Sequence, residues 1–265
     1  MNHVIGLKKR CRQVLSFIAL LFLITQSFAQ KPADWQLDKI PVKLETDFAL
    51  SCLPPYLQAK ATVYLLDPNK GYYVGRKGSN GFICFVTRTE WEWAEFRNDI
   101  VTAISFDTEG ARTIFPVYQA VAAMRASGKY TALQIKSIVT DRIKKGIYKA
   151  PARQGVSFML APVMRTYTGN SDQKQVMTMN MPHYMFYASY LTNADIGNAP
   201  DGREDGPFVG NPGAPFLGAR KSPFAYIILP AGTAERAKIM KDNQDLLKRL
   251  IAYKSYFNTE SGMKH

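Results

Sequence analysis

Few residues in this chain have the types and spacing that chemistry needs, and one stretch holds most of them. Met177, Met179, Met181 and His183 alternate with other residues. On a strand, alternate side chains share a face, so three thioethers and an imidazole would point the same way. Soft sulfur donors select Cu(I), which makes the stretch a candidate metal site. The alternative is a methionine-filled core face, because Met packs adaptably and Pro182 interrupts regular pairing. His183 is also the base that an exported hydrolase would need, with Asp107 or Glu109 as its partner. Ser189 lies nearby, but no Gly-x-Ser-x-Gly turn is present to expose a nucleophile.

Asp107 and Glu109, with Arg112, form the densest ionisable cluster. On a strand the two carboxylates would share a face and one pKa would rise, as an acid/base pair requires. In a turn they would form a local salt-bridged constellation instead. Arg76, Lys77, Ser79 and Asn80 lie in and before a glycine-bracketed turn whose N–H groups could cradle an anion. The candidate ligand-binding residues are therefore Arg76, Asn80 and Arg112. An exposed cationic turn is the other reading, and the absence of a P-loop lysine and following helix argues against a nucleotide. No cofactor is predicted, since zinc, covalent-haem and dinucleotide spacings are all missing.

The elements that must position these residues are legible in outline. Phe48 to Leu53 reads as a short helix ending near Cys52, stopped by Pro54-Pro55. Ala61–Leu66, Tyr72–Arg76 and Phe82–Thr87 read as a β-meander, with turns at 67–71 and 78–81. Pro116 opens a helix that Gly128 ends, and Thr131 to Gln134 has the form of a capping box for the next. Leu133, Ile135, Ile138, Val139 and Ile143 form its apolar face. Strands resume at Val156–Ala161 and over Val176–Tyr187. A Gly- and Pro-rich loop spans Asn193–Ser222, and Phe224–Leu229 reads as a buried strand. Thr233 caps a final helix to about Tyr256, with Ala237, Met240, Leu247, Leu250 and Ile251 inward. The pattern predicts an α+β fold: a largely antiparallel sheet, two central helices and a C-terminal helix.

Three motifs, Gly78-Ser79-Asn80-Gly81-Phe82-Ile83-Cys84, Phe106-Asp107-Thr108-Glu109-Gly110 and Gly155-Val156-Ser157-Phe158-Met159-Leu160, give the chain a family likeness. Across Ala59 to Leu229 it resembles a group of uncharacterised exported bacterial proteins. The resemblance implies kinship and carries no activity. Relatives place a cysteine where this chain has Ser105, which bears on the partner of Cys84.

The first residues point to export. Lys8, Lys9, Arg10 and Arg12 precede an apolar run, Val14–Ile24, and Ser27-Phe28-Ala29 fits a cleavage site before Gln30. That run is shorter than a bilayer span, so residues 1–29 are predicted to be a signal peptide, with no transmembrane segment after cleavage. The formal charge of +13 includes the four leader cations and no leader acid, leaving +9. Such a surface attracts anions, but its cations are scattered, so an anionic envelope component or small molecule is expected as partner and nucleic acid is not. Cys52 and Cys84 remain after cleavage, and an oxidising compartment favours a bridge between them; the alternative is packing as small apolar groups. The organisation expected is a leader, a lead-in over 30–59, a core over 60–230, and a C-terminal helix and tail over 231–265. Ligand or partner binding is the leading functional expectation, with the hydrolase and copper readings as alternatives.

Overall fold

A four-stranded sheet in the order β2-β1-β3-β4 carries the first half of the chain: β1 Thr62–Asp67, β2 Gly71–Arg76, β3 Ile83–Thr87 and β4 Thr102–Phe106. The computed structural model describes residues 35–168, 174–198, 206–210 and 221–259. The expected leader and His265 lie outside them. From Asp34 onward the chain clusters as one compact unit.

The turn at 67–71 makes the β1–β2 hairpin as expected, with the Asn69 N–H donating to Asp67 Oδ1 at 2.8 Å. The next connection differs from a strict meander. β3 does not fold back on β2; it passes to the far side of β1 and pairs with it in parallel, Val63 opposite Cys84. The crossing point is Gly78, where a Cβ would lie 2.3 Å from the Lys60 carbonyl oxygen, so only glycine lets the chain pass. β4 then pairs antiparallel with β3.

Both faces of this sheet are covered, which is why β3 and β4 are buried along their whole length. On one face lie α1, Val42–Ser51, the short α2, Pro55–Gln58, and the C-terminal α7, Gln244–Tyr253. Phe48, Cys52, Val63, Cys84, Val86, Leu250 and Phe257 form that core. The expected lead-in is thus part of the core, and Phe48 meets Phe257 edge-on at 5.8 Å. On the other face lie α3, Thr108–Thr113, α4, Phe115–Ser127, and α5, Ala132–Lys144, around Phe85, Phe106, Phe115 and Ile135.

The central helices follow their local signals. Pro116 sits in the first turn of α4, and Gly128 closes it at φ 64°. The capping box of α5 is formed in both directions, Gln134 N–H to Thr131 Oγ1 and Thr131 N–H to Gln134 Oε1. Ile135 and Val139 are buried, whereas Leu133, in the first turn, is 66% exposed. The C-terminal helix departs from expectation: it is two helices, α6, Thr233–Asp242, and α7. Gly232, not Thr233, is the N-cap, and Ala237 is exposed. Asn243 breaks the helix by turning its amide onto the Ile239 carbonyl, competing with the backbone.

The second sheet has the order β5-β8-β10-β9: β5 Val156–Met159, β8 His183–Tyr187, β10 Tyr226–Pro230 and β9 Phe208–Gly210. β9 lies inside the stretch expected to be only loop. A two-stranded ribbon, β6 Met164–Tyr167 with β7 Val176–Met179, completes the α+β architecture. The expected strand over Val176–Tyr187 is therefore two strands in different sheets, parted at Pro182. Among the described residues, no helix is long and apolar enough to cross a membrane.

Of the two readings of Cys52 and Cys84, the structure shows the packed one and not the bridge: both are free, buried thiols. Each turns to a backbone acceptor, Cys52 to Ala49 O at 3.0 Å and Cys84 to Thr62 O at 3.7 Å. Burial pushes the Cys84 thiol up to about 12 and the Cys52 thiol well above its usual value. In native, unreduced protein Cys52 and Cys84 should therefore react with iodoacetamide only after unfolding; a peptide linking the two in a non-reducing map would contradict this.

Candidate functional site

Asp107 caps α3 through the Gly110 N–H at 2.9 Å and accepts from the Val156 N–H at 3.0 Å and the Tyr187 hydroxyl at 2.9 Å. The last two contacts join the end of β4 to β5 and β8. Gly155 stands so close that a Cβ there would lie 2.3 Å from Asp107 Oδ2. Beside it, Ser105 Oγ accepts from the Phe158 N–H at 3.0 Å and extends the seam between the sheets. Glu109 belongs to the first turn of α3, so the two carboxylates do not share a strand face. The Ala152 N–H at 2.7 Å and Arg112 at 2.8 Å hold Glu109 below its usual pKa.

The anion cradle is likewise engaged in holding the fold. Ser79 and Asn80 donate their N–H groups to Lys60 O at 2.8 and 3.2 Å. Arg76 donates to Gln58 O and Ala61 O, and the Asn80 amide to Leu57 O at 2.9 Å. These groups fasten α2 to the first sheet. Arg112 stays with Glu109, distant in role from Arg76 and Asn80.

His183 opens β8, four residues before the Tyr187 that reaches Asp107. At about 3.3 Å per residue, that spacing puts roughly 13 Å of strand between His183 and the Asp107 cluster. The structure therefore does not bring His183 together with Asp107 or Glu109. Its Nδ1 lies 2.7 Å from the Met181 carbonyl, and the ring is 2% exposed. A carbonyl can only accept, so Nδ1 carries the proton and Nε2 the lone pair. Burial pushes the imidazole pKa down, favouring this neutral form.

What His183 faces is a cavity of about 470 Å³ between the two sheets. Its walls come from β3, β4 and β5, α4, the 3-10 turn Trp91–Trp93, the β6–β7 ribbon, and β8, β9 and β10. Five methionines line it: Met159, Met164, Met179, Met181 and Met185. Of the residues singled out in the sequence, Met179, Met181 and His183 belong to it. Met177 is 42% exposed and outside the lining. Met159 and Met164 were missed because they come from other strands, β5 and β6, whereas Met185 continues the alternation of Met181 and His183 along β8.

The ribbon wall is held by charge. Arg165 on β6 binds Asp99 at 2.6 Å, and Arg97 binds the same carboxylate at 2.7 Å. Burial alone would raise Asp99, but these two guanidiniums bring it down to about 2. Val101 and Arg165 also exchange backbone hydrogen bonds of 2.9 Å, joining β6 to the start of β4.

One end of the cavity is polar. Glu90 accepts from the Thr166 hydroxyl, and burial pushes its carboxyl up to about 7. Burial, with the charge of Glu90 adding to it, pushes Glu92 up to about 8, while Lys136 opposes the rise. Burial likewise raises Tyr118 and Tyr226, with the charge of Glu92 acting on both. Tyr226 pairs with Tyr187, at the end of the sheet away from His183. Carboxyls and phenols thus gather around Glu92, away from the His183 end of the cavity. Comparison with protein-family models, curated proteins and solved structures finds no match for this chain.

Proposed function

We propose that this is an exported binding protein that holds a small, elongated, mostly apolar molecule between its two sheets. The supporting observation is the methionine-lined cavity of about 470 Å³, within the size range of small-molecule sites. Thioethers are flexible and polarisable and fit many apolar shapes. Glu90 and Glu92 with Tyr118 and Tyr226 suit a hydrogen-bonding or cationic group at the ligand's other end. The leader-like residues 1–29 support export, and the likeness to exported bacterial proteins supports the same reading.

The test is native mass spectrometry of protein purified from its own envelope. It should show a chain beginning at Gln30 and carrying a noncovalent ligand. In parallel, the emptied protein should take up one N-phenylnaphthylamine. Ile228→Trp, which fills the cavity from β10, should abolish that uptake without unfolding the protein. A wild type that excludes the probe, or a variant that binds it as well, would overturn the proposal.

A further inference from the structure

We propose that the His183 end of the cavity is a site for one soft monovalent metal ion, Cu(I) or Ag(I), with His183, Met159, Met185 and Met181 as ligands. The inference rests on the cavity being open to small species and goes beyond the apolar ligand.

Met159 stands directly opposite His183 across the β5–β8 pair. Such partners have Cβ atoms about 4.5–5.5 Å apart, close enough for both side chains to reach one ion. Met185 is two residues along β8 and so on the same face, where both it and His183 are buried while Tyr184 between them is not. Met181 completes the group from the turn before β8, and its carbonyl orients the ring through Nδ1. That contact is the second-shell bond that metal-binding histidines use, and it leaves the Nε2 lone pair as the donor. All four side chains line the same cavity.

The donor chemistry selects the ion. Three thioethers and a neutral imidazole contribute no negative charge, so a divalent ion would be buried with both charges uncompensated. Thioether sulfur also binds Cu(I) in preference to zinc or the hard cations. No electron transfer is involved, since the ion enters and leaves as M⁺. Among the described residues, no cluster of three or more His, Cys, Asp or Glu competes for it.

The test is anaerobic titration of the mature chain with Cu(I) buffered by bicinchoninate, with native mass spectrometry to count bound ions. One ion should bind. Met159→Leu with Met185→Leu should weaken it by about a hundredfold or more, because two donors are lost. Met177→Leu, outside the cavity, should leave the affinity unchanged. X-ray absorption of the wild-type complex should show sulfur with one nitrogen in the first shell, a result that needs no variant. Failure to compete with the chelator, an oxygen- and nitrogen-only shell, or undiminished affinity in the double variant would each overturn the site. N-phenylnaphthylamine separates the two proposals, because leucine preserves apolar volume. Probe binding without metal binding ends the metal site alone, and metal binding without probe binding ends the apolar-ligand reading alone.

Discussion

Replacing Arg125 by methionine is expected to lower the unfolding free energy by about 4 kcal/mol, among the largest effects of any single substitution here. Arg125 lies in the last turn of α4, is 3% exposed, and fans its guanidinium over acceptors that include four groups from three stretches of chain. Nε donates to Trp35 O at 3.0 Å and Nη2 to Arg97 O at 2.9 Å. Nη1 donates to Arg88 O at 3.1 Å and Thr89 Oγ1 at 2.8 Å. The Phe96 ring lies 4.9 Å beneath. Methionine fills much of the same space but leaves three carbonyls and a hydroxyl without this donor. Lysine should restore less than half of the loss, because an ammonium cannot address four directions from one plane. Urea unfolding measures both. The segment it ties down carries Glu90, Trp91 and Glu92, so probe uptake should weaken in the same variants. A loss below about 1 kcal/mol would show that solvent readily replaces the guanidinium.

The second large effect is a fall in stability as pH rises from about 5 to about 8.5. Burial raises Glu90 and Glu45 from 4.5 to about 7 and Glu92 to about 8. Between 4.5 and those values the folded chain binds more protons than the unfolded one. The stabilisation is therefore fully present below about 4.5 and is lost as pH climbs through 7 and 8. Asp99, held at about 2, has the opposite slope and costs stability as pH falls below 3.8. The most stable range should consequently lie on the acid side of neutrality. Glu92→Gln should flatten the alkaline limb in thermal melts followed across pH. A wild-type melting temperature that rises between pH 5 and 8 would refute the assignment.

What could be read from the sequence was local. The capping box at Thr131, the Pro116 and Gly128 boundaries and the Asp67–Gly71 turn each depend on residues within one turn of chain. The parallel pairing of β3 with β1 depends on where Gly78 passes Lys60, which no periodicity records. The Met177–His183 pattern was visible, but Pro182 divides it between a ribbon and a sheet, so only part of it faces the cavity. Met159 gains its meaning from cross-strand register, and Arg125 from acceptors 28 to 90 residues away. Asp107 looked like one half of a carboxylate pair because its true partners, Val156 and Tyr187, are 49 and 80 residues distant.

The packing of α1 against α7 has a consequence for how the chain acquires its structure. Arg249 and Asp47, joined at 2.8 Å, are 202 residues apart, and Phe48 waits on Phe257 in the same way. One face of the first sheet, with α1 on it, therefore stays only partly covered during synthesis until the residues of α7 have been made. Contacts this distant are slow to close, because the loop entropy is lost before the burial is gained. A nascent chain thus lacks this contact for most of its elongation, which exposes its apolar surface to chaperones.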